Sequence, residues 1–306
     1  MEFRQLRYFA GVIEHGSMGK AALELGVGTS ALSQQISRLE GELATRLLQR
    51  TATGVVPTDA GLAFWRQAQL ALRHFDGAAL AAREARLAGQ VSVGMPPSTG
   101  GIVGLRFMLA MQERYPNVSL RIVESLSGHL GKMLASRQID LAVLFREEPA
   151  QHWSVHPILD EALFLIGSRT MPGMPSSDQA TIADVAEVPL LMPSSSHGLR
   201  ALVSSCFSHV GREPKIVAEI DGLAILMDAV LAGLGATIQP GAALARTGDN
   251  RLQSVLLNET RAMRPNLVVS LSDDELSPPG LAARVVLADV MRTIVLEKRW
   301  HGARLR

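Results

Sequence analysis

A face of small polar side chains on one predicted helix is the first candidate for chemistry. The helix runs from about Thr29 to about Leu43, and its exposed leading face carries Thr29, Ser30, Ser33, Gln34 and Ser37. Hydroxyl groups can bond base edges or phosphates, and the amide of Gln34 has the two-ended geometry that reads adenine. The face could therefore contact DNA, although a solvated helix in an all-α subdomain has a similar composition.

The preceding elements decide how that helix is presented. Apolar residues repeat at helical spacing from Phe3 to Gly16, and Ser17 is placed to cap a second helix, Met18–Leu25. Gly26-Val27-Gly28 then makes a short turn. Two short helices joined by a tight turn predict a helix-turn-helix, in which the second helix enters the major groove.

A hairpin and a long helix follow. Leu47–Gln49 and Val55–Pro57 are predicted strands, which makes the connection between them, with Arg50 and Thr53, the tip of a wing. Arg50 could hold a phosphate or could simply be solvated. Thr58 is expected to cap a helix from Asp59 to about Leu87. Its apolar stripe has no evident partner in the N-terminal segment, so we expect the same helix of a second subunit to cover it. That stripe contains Leu62, Trp65, Leu72 and Phe75.

The rest of the chain has an α/β pattern. Strands and helices alternate in two similar sets, which indicates an open, largely parallel sheet. Polar loops follow several predicted strands and precede helices, where hydroxyl and backbone N–H groups suit an anion. The alternative for each loop is an ordinary capped turn, and the alternative for Arg146 is a surface salt bridge. These candidates for an effector site are Pro97, Ser98, Thr99, Ser127, Arg146, Ser195 and Ser196.

Several short stretches of the first 61 residues have a characteristic order and spacing, namely Phe3–Phe9, Gly16-Ser17, Ala21-Ala22, Ala31–Ile36, Leu39-Glu40, Leu43, Leu47–Arg50 and Pro57–Gly61. Together they resemble the N-terminal signature of LysR-type transcriptional regulators. The resemblance extends to the nitrogen-assimilation-control branch of that family through Ser33-Gln34-Gln35 and the run from Arg50 to Gly61. It implies DNA binding as a dimer through the long helix, and a two-lobed C-terminal domain similar to periplasmic solute-binding proteins. It also implies a homodimer or homotetramer. Thr29-Ser30-Ala31 and Gln34 depart from the commonest pattern of the family.

Composition constrains the remaining possibilities. The net charge of +1 does not by itself indicate a nucleic-acid partner, so the DNA prediction depends on the motif. A single cysteine, Cys206, is typical of a reducing compartment. The N-terminus lacks the pattern of a signal peptide and the chain lacks a long apolar run, so a cytoplasmic protein without a membrane span is expected.

We therefore predict three parts: a winged helix-turn-helix over 1–58, a linker and dimerisation helix over 59–88, and an α/β effector-binding domain over 89–306. Lobe I of that domain would comprise about 89–162 and 266–306, and lobe II about 163–265. The expected partners are double-stranded promoter DNA, a small-molecule effector that could be anionic, a second copy and RNA polymerase, with no cofactor or metal. The predicted DNA contacts are Ser17, Thr29, Ser30, Ala31, Ser33, Gln34, Ser37, Arg50, Thr53 and Thr58.

Three alternatives compete with this prediction. A solute-binding protein would share the C-terminal architecture but would not need the N-terminal 88 residues. A regulator that works without an effector is possible in the nitrogen-type branch. An enzyme is disfavoured because Ser195 and His197 lie two residues apart in one loop, which is not the arrangement of a nucleophile and its base.

Overall fold

The protein is described by a computed structural model over residues 1–51, 54–81, 87–146, 153–195, 197–246 and 250–306. The chain divides into two compact units, Met1–Gly89 and Gln90–Arg306. No helix among the described residues is long and apolar enough to cross a membrane.

The first unit is a three-helix bundle followed by a hairpin and a long helix. Gly16 ends the first helix in the left-handed region at φ 61°, and the side chain of Ser17 caps the second helix by accepting from the Lys20 N–H. The two strands of the hairpin pair antiparallel. The elements are α1 (Phe3–His15), α2 (Met18–Glu24), α3 (Thr29–Glu42), β1 (Leu48–Thr51), β2 (Gly54–Pro57) and α4 (Asp59–Ala81).

Helix α4 has apolar partners inside this unit, which corrects one expectation. Trp65 is buried in a cluster with Phe9, Ile36, Leu39 and Leu47, and Leu72 packs against the same cluster. The Phe75 ring lies 4.0 Å from that of Phe3, centroid to centroid, although Phe75 stays half exposed. The assumption that the stripe lacks a partner was therefore wrong, because α1 and α3 cover a large part of it. Leu62 and Phe75 are the two stripe residues that remain exposed.

The second unit is built around a nine-stranded mixed sheet with helices packed on it. The expectation of a largely parallel sheet was wrong, because five strand pairings in it, all of them with β6 or β12, are antiparallel. Parallel pairing joins β3 to β5 and β7 to β11. The elements are β3 (Gly89–Met95), α5 (Pro97–Arg114), β4 (Val118–Glu124), α6 (Ser127–Ala135), β5 (Leu141–Leu144), β6 (Trp153–Ser168), β7 (Gln179–Ala180), β8 (Leu190–Met192), α7 (Gly198–His209), β9 (Ile216–Glu219), α8 (Leu223–Leu231), β10 (Thr237–Pro240), a 3₁₀ helix (Gly241–Arg246), β11 (Leu252–Leu257), β12 (Met263–Leu271), α9 (Pro278–Leu296) and β13 (Ala303–Leu305).

Strand β6 connects two lobes. Its first part, residues 153–162, pairs with β12, and its last part, residues 163–168, pairs with β10 and β11. We call the part that contains β3–β5, α5, α6 and α9 lobe I, and the part that contains β7–β11, α7 and α8 lobe II. Each lobe has its own hydrophobic core, with Phe107 and Val268 fully buried in the first and Phe207 and Ile238 fully buried in the second.

Helix α5 begins within the segment that the sequence pattern predicts as a polar loop before a helix. Gly100-Gly101 suggests a loop, but Pro97 occupies the first turn, where the missing N–H of proline costs no hydrogen bond. Pro97, Ser98 and Thr99 therefore lie within the helix and not in a loop before it. Helix α6 likewise begins at Ser127.

Candidate nucleic-acid interface and ligand cleft

The third helix presents the predicted polar face to solvent. Thr29, Ser30, Ala31, Gln34 and Ser37 are exposed and Ser33 is half-buried. On the opposite side Leu32, Ile36 and Leu39 are buried against the other elements of the unit. The cap of the helix is Gly28, which provides no side-chain acceptor, so the first N–H groups remain available to a phosphate.

Glu40, for which the sequence analysis predicted no role, fixes the hairpin to this helix. Its buried carboxylate accepts from the backbone N–H groups of Leu47 at 2.7 Å and Leu48 at 3.0 Å, and from Arg46 at 2.9 Å. The sequence did contain a signal for this role, because the helical period directs the side chain of Glu40 inward and a buried carboxylate needs partners. The carboxylate thus sets the position of the wing relative to the polar face.

Strand β2 also passes close to the helix-turn-helix. The Val55 N–H donates to the Gly16 carbonyl at 2.9 Å. A Cβ at Gly54 would lie 2.4 Å from the same oxygen, and Gly54 has φ 146°, so this position requires glycine. The wing is therefore held at its base by the Glu40 carboxylate and near its tip by a backbone hydrogen bond to Gly16.

Two exposed cations lie on the helix-turn-helix and the wing. Lys20 on α2 and Arg50 on β1 form no ion pair with the described residues, whereas Arg4, Arg7, Arg38 and Arg46 are paired with acids. An unpaired cation is free to neutralise a phosphate. Lys20 was not among the predicted contacts.

Ser17 and Thr58 both cap helices. The Ser17 hydroxyl only accepts, at 3.4 Å from Lys20 N, and keeps its own O–H free to donate. The Thr58 hydroxyl donates to the Arg46 carbonyl at 2.8 Å and accepts from the Gly61 N–H at 3.0 Å. That Thr58 contacts DNA stays a prediction, although its only hydroxyl proton is already used within the unit. Thr53 lies outside the described residues.

A cleft opens between the two lobes of the second unit. Its space is about 430 Å³, open solvent at the mouth included. Helices α5, α6 and α8 begin at residues that line it, and the N-cap of α7, His197, lines it too, so four positive helix ends border the cleft. The lining residues are Pro96, Pro97, Ser98, Leu126, Ser127, Phe145, Pro193, His197, Leu199, Ile220, Asp221, Leu223, Leu226, Gln239 and Arg264.

Arg264 lies at the base of the cleft in a buried polar network. Its Nε donates to Glu161 at 2.8 Å, its Nη2 donates to Ser98 Oγ at 3.0 Å, and the guanidinium carbon lies 3.6 Å from the ring centroid of Phe145. Glu161 also accepts from Asn266 Nδ2 at 2.8 Å and from Trp300 Nε1 at 2.9 Å. Arg264 Nη1 makes no hydrogen bond to the described residues and is the donor left for a ligand.

Gln239 is a second polar group that lines the cleft without a partner. The residue is 4% exposed, and its amide makes no hydrogen bond to the part of the chain that the structure describes. Gln239 is not among the residues whose unpartnered polar atoms are fully buried, so its amide reaches the open space of the cleft and can bond a ligand or water there.

His197 and Asp221 border the same space from lobe II. His197 Nδ1 accepts from the Leu199 N–H at 3.1 Å, which leaves the proton of the neutral ring on Nε2. Burial, and next the charge of Arg264, lower the pKa of His197, while Asp221 raises it. The pKa of Asp221 is lowered because the backbone N–H and hydroxyl of Ser194 donate to its carboxylate. At neutral pH the cleft therefore has a cation at Arg264, an anion at Asp221 and a neutral imidazole close to both.

Three of the predicted effector residues, Pro97, Ser98 and Ser127, line the cleft. Thr99 does not, because it is fully buried behind Ser98 with its hydroxyl 3.4 Å from Asn266 Oδ1. Arg146 and Ser195 are exposed and do not line it, and Ser196 lies outside the described residues. Arg264, Gln239 and Asp221 were missed, although an arginine within a mostly apolar segment was a usable signal for Arg264.

Two other possibilities find no support. Cys206 is buried in α7, and burial raises the pKa of its thiol, which suits a small core residue and not a reactive one. Among the described residues no group of three or more metal-ligating side chains lies close enough to hold an ion.

Comparison with known proteins gives consistent results for both units. Residues 3–62 match the family model described as bacterial regulatory helix-turn-helix protein, lysR family, and residues 84–292 match the LysR substrate binding domain. The nitrogen assimilation regulatory protein nac of Escherichia coli K12 is 33% identical over 307 residues, which cover 98% of this chain and 98% of that protein. The protein of the same name from Klebsiella aerogenes is also 33% identical, with the same coverage.

Solved structures show the same fold. A full-length OxyR variant from Pseudomonas aeruginosa matches with a TM-score of 0.75 at 21% identity, covering 95% of each chain. Full-length CbnR complexed with its target DNA matches with a TM-score of 0.65 at 25% identity, covering 94% of this chain and 99% of that one. The family consists of transcriptional regulators and not of enzymes. The chain belongs to the LysR family and is a DNA-binding transcriptional regulator with a two-lobed effector-binding domain.

Proposed function

We propose that this regulator binds an interrupted palindromic operator and that a small molecule in the cleft changes how it binds. The observation that carries the proposal is the pairing of an exposed polar recognition face on α3 with a polar cleft whose buried groups, Gln239 and Arg264 Nη1, have no partner in the described chain. The first feature suits direct readout, and the second suits a ligand with polar groups.

The DNA side of the proposal assigns separate tasks to exposed residues. Gln34 reads a base, and Thr29, Ser30, Ser33 and Ser37 contact base edges or the adjacent backbone. Ala31 offers a methyl group to the same groove. Arg50 and Lys20 hold phosphates, because both are exposed cations outside the ion pairs of the unit.

Selection of bound fragments from a random DNA library tests this part. We expect enrichment of two related half-sites whose centres are separated by about one helical turn, or a multiple of it. If the selected fragments shared no sequence, the protein would be a non-specific binder and the assignment of Gln34 would be wrong.

The cleft side of the proposal has a matched pair of variants on strand β10. Gln239→Leu removes the unpartnered amide in the cleft. Thr237→Val removes a buried hydroxyl that also lacks a hydrogen-bond partner in the described chain but does not line the cleft. Both variants should fold with unchanged or slightly higher stability, since neither breaks an internal hydrogen bond.

A thermal-shift screen of polar metabolites, followed by measurement of operator affinity, separates the two variants. A true effector raises the melting temperature of the wild type and of Thr237→Val by mass action, and much less that of Gln239→Leu. If no compound raises the melting temperature of the wild type, the alternative of a regulator that needs no effector is favoured. In that case Gln239→Leu should leave the operator affinity of the protein unchanged.

The assembly and domain assignments are part of the same proposal. We assign 1–58, 59–88 and 89–306 to DNA binding, linking and effector sensing, and we place a homo-oligomer contact at α4. Leu62 and Phe75 support that contact because they are exposed apolar residues, whereas Trp65 and Leu72 belong to the core of their own unit. Light scattering of Leu62→Asp and Phe75→Asp should show a smaller species than the wild type. RNA polymerase is the proposed partner at the promoter.

A further inference from the structure

Two opposite charges line the cleft without pairing with each other. Arg264 lies at its base on β12, and Asp221 lies before α8 in lobe II. The ion pairs of the described residues join Arg264 to Glu161 and none joins it to Asp221. Both residues line the same cleft, and His197 lines it with them.

The side of Arg264 suits a carboxylate. Its Nη1 is directed to no acceptor in the described chain, and Ser98, which accepts from Nη2, lies in the first turn of α5. The backbone N–H groups of Ser98 and Ser127 make no hydrogen bond to the described backbone. A carboxylate at this position would take donors from the guanidinium and from two helix ends.

The side of Asp221 suits a cation. Asp221 is ionised, because Ser194 lowers its pKa, and the residue is exposed at the cleft. Anions alone would be repelled by it. Apart from Arg264 and Asp221, none of the described residues that line the cleft has a charged side chain, and the lobe II wall contains Leu199, Ile220, Leu223 and Leu226.

From this arrangement we infer that the effector is a zwitterion, an α-amino acid with an uncharged side chain, whose carboxylate binds at Arg264 and whose ammonium binds at Asp221. This inference rests on the proposed function, since it names the class of ligand for the same cleft. The apolar wall of lobe II takes the side chain, and the amide of Gln239 supplies a further polar contact.

The experiment uses the full chain and three matched sets of probes. The first set is the uncharged L-α-amino acids, for example L-alanine, L-leucine and L-glutamine. The second is the same compounds without the amino group, such as propionate and 4-methylpentanoate, and the third is the same compounds without the carboxyl group, such as 3-methylbutylamine. Calorimetry should show binding of at least one amino acid, with an affinity at least about tenfold higher than that of either of its analogues.

Asp221→Asn tests the assignment of the ammonium. Asparagine retains an oxygen that accepts from the Ser194 N–H, so the loop is preserved, and the melting temperature without ligand checks this. In this variant the amino acid and its carboxylate analogue should bind with similar affinity. Asp228→Asn is the control, because Asp228 is exposed on α8 outside the cleft and its loss should leave the discrimination unchanged.

The outcomes separate this inference from the proposed function. Wild-type protein that binds the carboxylates as tightly as the amino acids, or an Asp221→Asn variant that keeps full discrimination, would overturn the zwitterion class. The proposal of an effector in the cleft would then stand with another ligand. If no compound of any set binds, and no other metabolite raises the melting temperature, both fail.

Discussion

The indole N–H of Trp300 donates to Oε2 of Glu161 at 2.9 Å, and both residues are buried. The other oxygen of the same carboxylate accepts from Arg264 and Asn266. Trp300 directly precedes the segment that leads into β13, which pairs with β6 at Glu161 itself. One carboxylate therefore joins the base of the cleft to the C-terminal segment at the strand that connects the lobes.

Glu161→Gln should destabilise the second unit strongly. The change leaves the buried Arg264 guanidinium without a countercharge, and loss of one member of a buried ion pair costs about 3–5 kcal/mol. Asp160→Asn is the matched control, because Asp160 is the neighbouring residue and pairs with the more exposed Arg306. Its loss should cost about 1 kcal/mol or less. Urea unfolding followed by tryptophan fluorescence measures both, and equal costs would mean that the network is not a main source of stability.

Gly61→Ala should unfold or loosen the first unit. A Cβ at Gly61 would lie 1.9 Å from the Leu47 carbonyl oxygen, so α4 could not keep its place against the wing. We expect a loss of about 3 kcal/mol or more, at or beyond the usual limit for overpacking. Operator binding should fall with it.

Gly41→Ala provides the control for that variant. Gly41 lies in α3, where a Cβ would meet no described atom within 4 Å, and it has an ordinary helical backbone. The substitution should raise stability by up to about 1 kcal/mol, because alanine is the better helix former. Similar melting temperatures for the two variants would show that the contact between Gly61 and Leu47 is unimportant.

The helix-turn-helix could be predicted from the sequence because its signals are local. The apolar period of α3, the cap at Ser17 and the turn at Gly26–Gly28 all lie close in sequence to the elements that they define. The burial of the apolar side of α4 by other helices could not be predicted in the same way. Trp65 is buried by Phe9 and Ile36, which come from other helices, and no pattern along α4 identifies those partners.

The cleft illustrates the same limit more clearly. Glu161 is separated in sequence from Arg264 by 103 residues, from Asn266 by 105 and from Trp300 by 139. Loops rich in serine indicated one wall, and Ser98 and Ser127 do line it. The charged base of the cleft depends on the register of β6 with β12, which includes an irregularity between Asn266 and Leu267. Residue types alone do not determine such a register.

His197 should make the protein less stable in mild acid. Burial, and next the charge of Arg264, lower its pKa in the folded chain, whereas the unfolded residue titrates near about 6.5. As the pH falls through that value the unfolded chain takes up a proton that the folded chain does not, so the free energy of unfolding decreases. Above that range the residue has no such effect.

His197→Asn should reduce this dependence on pH. Asparagine can still cap α7 by accepting from the Leu199 N–H, but it does not titrate. The difference in free energy of unfolding between neutral and mildly acidic buffer should be smaller than in the wild type. His209→Asn, at the exposed end of the same helix, should behave as the wild type does. A His197→Asn protein that loses as much stability in acid as the wild type would show that another group is responsible.

Gln34 and Arg50 should affect DNA binding in opposite ways. Gln34 is exposed on the leading face of α3 and has both a donor and an acceptor at the end of an extended side chain. Gln34→Ala should cost about 1–3 kcal/mol of binding free energy on the selected operator and relax the preference at one base position, with little change on random DNA.

Arg50 lies on the wing as a cation outside the ion pairs of the described residues. Arg50→Ala should therefore weaken the binding of all sequences alike and reduce the salt dependence of binding. Fluorescence anisotropy on the operator and on a scrambled duplex, each at two salt concentrations, measures both effects. If Gln34→Ala weakened the two duplexes equally, Gln34 would be a backbone contact, and the readout would have to be reassigned to Thr29, Ser30 or Ser33.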